Sequence, residues 1–143
     1  MIRLLVAEDH AGIREKVVGI LEMDYIVVGA VTDGQAVLEA DSKFKPDVIV
    51  LDISMPIMNG LEAAAQLKKR SPDAKIIFLT VHEEPVFLNA AFAVGAVGYV
   101  IKSRLSSDLR LAIREAMEGR RFLSPCLKMP CGADGSDSPD TRT

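Results

Sequence analysis

Five side chains in this sequence have the chemistry that phosphoryl transfer needs, and each stands at the end of a short apolar run. Glu8 and Asp9 follow Ile2–Ala7, Asp52 follows Asp47–Leu51, Thr80 closes Lys75–Thr80, and Lys102 follows Gly98–Ile101. A carboxylate can attack phosphorus, a lysine can spread the charge that develops, and a hydroxyl can donate a hydrogen bond to the transferred group. Three carboxylates brought together repel one another and need compensation. A divalent cation supplies it. Mg2+ fits, because it takes oxygen ligands in an octahedron at about 2.1 Å and keeps several waters. Asp9 and Asp52 are the expected direct ligands, the Ser54 carbonyl a third, and Glu8 a direct or water-mediated one.

Each of these residues alone has an ordinary explanation. An aspartate at a strand end is usually a helix cap or a solvated loop residue. A threonine there reports β-propensity, and a lysine is usually solvent-exposed. His10 reads as a first-turn helix residue, since imidazole ranks behind oxygen donors at a magnesium site. The weight lies in the coincidence of five such residues at the same edge of one predicted sheet.

That edge follows from the elements. Five runs (Ile2–Ala7, Tyr25–Val31, Asp47–Leu51, Lys75–Thr80 and Gly98–Ile101) are rich in Val, Ile and Leu and do not alternate with polar residues. Such runs suit strands covered on both faces, as in a parallel sheet. Between them lie helical stripes: Ile13, Val17 and Leu21; Phe87, Ala90, Ala91 and Val94; Leu105, Leu109, Ile113 and Ala116. Ala36, Val37, Ala40 and Phe44 form a weaker stripe, as do Leu61, Ala64 and Ala65. Strand starts recur about every 22 to 28 residues, the length of one βα unit. Five such units predict an α/β fold, a flavodoxin-like doubly wound (βα)5 domain with a parallel five-stranded sheet in the order 2-1-3-4-5. The switch point falls between strands 1 and 3, and the functional crevice lies beyond the carboxyl ends of the strands. Neighbouring strands lie about 4.8 Å apart, which crowds Glu8, Asp9 and Asp52 together.

Composition narrows the classes. The chain has 143 residues, 49% hydrophobic and 26% charged, with a net charge of −3. That describes a globular domain and argues against nonspecific nucleic-acid binding through a basic surface. Cys126 and Cys131 give no disulfide framework for the core and too few ligands for a structural zinc site. The first apolar run stops at Glu8, too short for a signal-peptide core. The longest uncharged stretch, Pro85–Ile101, falls short of the roughly 18 residues of a membrane span and is interrupted by Asn89, Gly95 and Gly98. The reading is a soluble cytoplasmic protein with no membrane partner. After Phe122 the composition turns polar, so residues 1–123 are expected to be the domain and 124–143 a disordered tail or linker.

Taken together, these motifs resemble the receiver domain of two-component response regulators. Glu8-Asp9-His10 resembles the acidic pair after strand 1, and the segment from Asp52 through Pro56 to Asn59-Gly60 resembles the one that begins with the phosphoacceptor. Thr80 and Lys102 resemble the switch hydroxyl and the characteristic lysine, and Tyr99 the rotating aromatic. Asp9-His10, Gly95–Tyr99 and Gly119–Pro125 are similar to receivers of the NarL/FixJ (LuxR-type) transcription factors. In those proteins a helix-turn-helix domain normally follows. Here Cys126–Thr143 is too short and too polar for one, so contact with DNA is expected only through a domain this sequence lacks. The chain reads as either a truncated piece or a stand-alone receiver. Three positions depart from the common pattern without removing a reacting group. The acidic pair is Glu-Asp rather than Asp-Asp, Ser103 follows Lys102 where many receivers have proline, and Val81 follows Thr80 where a small residue is frequent.

The resemblance implies that a sensor histidine kinase supplies the phosphoryl group, that Asp52 accepts it with Mg2+ present, and that Thr80 and Tyr99 carry the switch. Output then runs through dimerisation, release of a DNA-binding domain to control transcription, or phosphate storage. The chain is a phosphoacceptor signalling domain rather than an enzyme, with slow self-dephosphorylation as its own chemistry. Ser54 and His82, two residues after Asp52 and Thr80, are expected at the crevice mouth, where they can orient or block the hydrolytic water. Two rival readings share some of these features. A haloacid-dehalogenase-like phosphatase also uses a strand-end aspartate and Mg2+, but it prefers Asp-x-Asp, and Ser54 stands where the second acid belongs. A degenerate, unphosphorylated interaction module would not require the full set of reacting groups present here.

Overall fold

The computed structural model describes residues 2–125. Cys126, Cys131 and the expectations for the tail beyond Pro125 lie outside the described residues. The chain alternates β1 (Arg3–Ala7), α1 (Ala11–Leu21), β2 (Ile26–Val31), α2 (Gly34–Phe44), β3 (Val48–Leu51), α3 (Gly60–Arg70), β4 (Lys75–Thr80), α4 (Pro85–Ala93), β5 (Gly98–Ile101), α5 (Leu105–Met117) and β6 (Phe122–Leu123), with a 3-10 turn over Lys102–Arg104. All pairings are parallel, in the order β2-β1-β3-β4-β5-β6.

The unbroken apolar runs have a simple cause. Side chains alternate between the two faces of a strand, and both faces are covered. Leu5, Ala7, Ile49, Leu51, Ile76, Phe78, Tyr99 and Ile101 face a core closed by α2, α3 and α4. Leu4, Val6, Val48, Val50, Ile77, Leu79 and Val100 face a second core closed by α1 and α5. Helix starts are set locally. The Asp33 carboxylate accepts from the Ala36 amide at 2.8 Å. Asn59 and Glu62 form a reciprocal capping box, and Pro85 occupies the first turn of α4, where its missing N–H costs nothing.

Two features differ from the sequence-based expectation. The sheet has six strands, not five. Phe122–Leu123 adds a two-residue parallel strand beside β5, with Gly98 opposite Phe122 and Tyr99 opposite Leu123. Two residues are too few to show a period, so only the folded partner reveals the strand. Gly119 makes it reachable: its φ of +78 turns the chain out of α5 in a left-handed conformation that glycine adopts without strain. The second difference is β2, which is not covered on both faces. It is an edge strand, partly exposed along its length, with Ile26 at 45% exposure. Among the described residues no helix is long and apolar enough to cross a membrane.

Candidate functional site

The parallel register brings the chemistry together. Ala7 pairs with Leu51 and Thr80 with Ile101, so Glu8, Asp52, Thr80 and Lys102 all emerge at the carboxyl edge. The ladder holds the first two from behind: the Glu8 amide donates to the Val31 carbonyl and the Asp52 amide to the Ala7 carbonyl, each at 3.0 Å. The loop after Asp52 folds back tightly. A Cβ on Gly60 would lie 2.0 Å from the Asp52 carbonyl oxygen, so only glycine fits there. The Gly60 amide donates to the Ile53 carbonyl at 2.8 Å and closes the loop.

Lys102 reaches past β4 to the acids. Its Nζ lies 3.0 Å from Asp52 Oδ2, and 2.8 and 3.1 Å from Glu8 Oε1 and Oε2. Glu8 is 1% exposed and Asp52 4%. One cation therefore faces two buried carboxylates. Burial pushes the Glu8 carboxyl above the ordinary carboxylate range; the Lys102 hydrogen bond opposes the rise, and the nearby Asp52 charge adds to it. Burial also disfavours the Lys102 ammonium, but its hydrogen bonds to Glu8 and Asp52 and their negative charge win, and its pKa stands above the usual lysine value.

This donor set fits a hard cation. Glu8, Asp9 and Asp52 each offer a carboxylate oxygen, and the three oxygens lie within 4.8 Å of one another. Glu8 Oε1 is buried and has the Lys102 ammonium at 2.8 Å, a cation that Asp52 also shares, so the acids outnumber the cation that faces them. The ligands are all oxygen, as a Mg2+-class ion prefers. The cluster could hold a metal ion. Asp9, unlike the other two, is exposed, which leaves room for the waters such an ion keeps. Ser54 is at the same mouth, its amide 3.3 Å from Asp52 Oδ1.

Thr80 is fully buried, and its Oγ1 accepts from the His82 amide at 3.1 Å. Tyr99 is also fully buried, its hydroxyl donating to the His82 carbonyl at 2.8 Å. One residue thus links the two switch candidates. Tyr99 already lies inward here. Burial and the Glu84 charge push its phenol well above the normal tyrosine value. The His82 ring sits 2.9 Å from Ser54 Oγ through Nε2 and stacks on Phe87 at 4.1 Å between centroids. Asp9, Ser54, Asn59, His82 and Phe87 line an open cleft of about 500 Å3. A larger hollow, of about 670 Å3 beside Asp41, Arg70 and Lys75, lies away from these groups.

Glu8, Asp9, Asp52, Ser54, Thr80, His82 and Lys102 therefore meet at this edge, and Tyr99 reaches it from within β5 through its hydroxyl. Some structural contributors were not legible. His10 accepts from the Ile13 amide through Nδ1 and caps α1. Arg14 holds the first loop by donating to the Glu8 carbonyl at 3.0 Å. Phe87 read only as part of an apolar stripe. Nothing in the local pattern marks Arg14, because its role depends on a loop six residues upstream.

The chain is similar in sequence and fold to known proteins. The model of the response regulator receiver domain matches residues 4–114. YvfU of Bacillus subtilis, an uncharacterized transcriptional regulatory protein, is 37% identical over 127 residues, covering 87% of this chain and 64% of that protein. The response regulator GacA of Pseudomonas viridiflava is also 37% identical over 127 residues, with 87% and 59% covered. The chain thus spans less than two thirds of the length of these relatives. Among solved structures, a LuxR-family two-component response regulator from Aurantimonas sp. SI85-9A1 superposes with a TM-score of 0.85 at 31% identity, covering 89% of this chain and 92% of that one. The isolated REC domain of RcsB from Salmonella enterica, solved with the phosphomimetic BeF3-, gives 0.82 at 26%, covering 88% and 95%. A match across most of the chain and neighbours that share its whole architecture agree: this chain belongs to the response regulator receiver domain family, with LuxR-type transcription regulators among its relatives.

Proposed function

We propose that Asp52 is the phosphoacceptor of this receiver and that a sensor histidine kinase is its donor. The observation that carries this reading is the excess of buried acid: two carboxylates, next in sequence to Asp9 and Ile53 of the cleft wall, share one ammonium. The Asp52 carboxylate attacks phosphorus, the phosphorus–nitrogen bond of phosphohistidine breaks, and the departing imidazole takes up a proton. An acyl phosphate is left on Asp52. Lys102 then faces the new phosphoryl oxygens, and the Thr80 hydroxyl donates to them once it turns from the His82 amide. Glu8, Asp9, Asp52 and the Ser54 carbonyl would hold Mg2+, whose charge, when bound, offsets the carboxylates and the phosphoryl oxygens.

Because His82 bridges Thr80 and Tyr99, a moving Thr80 releases the His82 amide and with it the loop into α4. The switch is a shift between two populated states of this loop, β5 and α4. The receiver unit, expected over residues 1–123, takes in Ser124 as well, which is fully buried and hydrogen-bonded to Ile101 and Asp108. In a longer protein, output would run to a DNA-binding domain or through a homodimer and control transcription. Slow self-dephosphorylation resets the state, with Ser54 and His82 bordering the path of the attacking water.

The test is incubation of the chain with a small phosphodonor and Mg2+, read by intact mass. A gain of one phosphoryl group that requires Mg2+, and that falls sharply in Asp9→Ala, supports the reading. No gain in the wild-type chain refutes it. Fast turnover of many phosphate esters without a stable gain would point to a phosphatase.

A further inference from the structure

We infer that Asp108 and Ser124 are positioning residues for Lys102, which makes the short strand β6 part of the switch rather than the end of the domain. The inference rests on the role given to Lys102 above.

The side chain of Ser124 is fully buried. Its hydroxyl accepts from the Ile101 amide at 3.1 Å and donates to Asp108 Oδ2 at 2.8 Å, and its amide donates to the Tyr99 carbonyl at 3.0 Å. It therefore supplies the last rungs of the β5–β6 ladder, one of them through a side chain. Asp108 lies on α5 and is 3% exposed. It accepts from Arg104 Nε at 2.8 Å, from Arg104 Nη2 at 3.3 Å and from Ser107 Oγ at 3.2 Å. Lys102 is bracketed: the residue before it is tied to Ser124, and the residue two after it to Asp108.

This bracket matters because the turn has little stiffness of its own. Ser103 follows Lys102, and serine places no ring restriction on the backbone. The turn spans only Lys102–Arg104 and carries no side-chain cap. A long lysine side chain must nevertheless hold its ammonium within 3.1 Å of two carboxylates across an intervening strand. Fixing both flanks of its backbone lowers the freedom lost when it does so. Coupling of this kind is reciprocal. If the bracket favours the Lys102 position that meets a phosphoryl group, then phosphorylation tightens the bracket. The effect reaches Ser124, whose amide bonds to the Tyr99 carbonyl beyond the end of β6.

The test uses the full chain, with beryllofluoride and Mg2+ as the phosphoryl probe. In Ser124→Ala the NMR signal of the Lys102 ammonium shifts even without the probe, and probe affinity falls about fivefold. Asp108→Asn does the same, and the double variant adds little to either single one. In the wild type, the probe slows hydrogen exchange at the Ser124 amide. Val17→Ala is the control: it opens a cavity under α1 and lowers stability, but leaves the Lys102 signal and the affinity unchanged. A wild-type Lys102 signal and affinity in Ser124→Ala, or an equal change in Val17→Ala, would overturn the inference. Failure of the wild-type chain to bind the probe counts against Asp52 as phosphoacceptor, and the ammonium signal still decides the role of Ser124.

Discussion

Two sites of buried acid in this domain are wired in opposite ways. Asp108 has more donors than it needs: burial alone would raise its carboxyl, but Arg104, Ser124 and Ser107 together hold it below the ordinary range. Glu8 and Asp52 share a single ammonium, at 2.8 Å from Glu8 Oε1 and 3.0 Å from Asp52 Oδ2, and burial wins at Glu8. A satisfied buried acid is scaffold. An unsatisfied one stores repulsion that a cation or a phosphoryl-transfer partner can relieve. The difference separates structure from chemistry more sharply than burial does, since both acids are almost fully enclosed.

The contrast can be broken at its strong end first. Asp108→Ala leaves Arg104 and Ser124 without their acceptor and is expected to destabilise the domain by about 2 kcal/mol. Chemical denaturation measures it; a loss within error of zero would mean the network is not scaffold. Lys102→Ala acts on the other cluster. Some phosphorylation survives, because the carboxylates can still bind a metal, but the switch is uncoupled. Beryllofluoride-induced shifts at Thr80 and Tyr99 should shrink severalfold in this variant, and shifts of wild-type size would refute its role. His82→Ala is expected to change the lifetime of phospho-Asp52 severalfold with little change in stability, because its ring lies beside Ser54 at the cleft. An unchanged half-life would leave it a bystander.

The two clusters also respond to pH with opposite sign. The Glu8 pKa is raised from 4.5, so the folded state holds a proton that the unfolded chain has released. Stability contributed by Glu8 is greatest below pH 4.5 and is lost as pH rises through its folded value. The Asp108 pKa is lowered from 3.8, so its contribution is present above pH 3.8 and is lost as pH falls through its folded value. In thermal melts without divalent metal, Glu8→Gln should remove the decline above pH 4.5 and leave the acid limb in place. A decline that persists unchanged in Glu8→Gln would assign it elsewhere.

The cluster proposed to react was legible in the sequence because each member closes or follows an apolar run, and parallel strands deliver their ends to one edge. Glu8, Asp52 and Lys102 needed only the strand order. The scaffold cluster was not legible. Asp108 sits between the apolar positions Leu105 and Leu109 and resembles an ordinary polar residue of an amphipathic helix. Its partner Ser124 lies 16 residues on, after a strand too short to announce itself. The α4 stripe was only partly right. Of Phe87, Ala90, Ala91 and Val94, only Ala91 is fully buried, because Phe87 turns its ring to His82 and helps wall the cleft. Local spacing predicts a helix face but not which neighbour arrives to cover it.

The central claim is that the unsatisfied cluster reacts, and through Asp52. The most direct measurement is to treat the wild-type chain and Asp52→Asn with a small phosphodonor and Mg2+, and to map any added phosphoryl group by peptide mass. The account predicts a label on the wild-type peptide carrying Asp52, and a folded Asp52→Asn protein that takes none. Labelling of Asp52→Asn at the wild-type rate, with the group mapped to another residue, would contradict it.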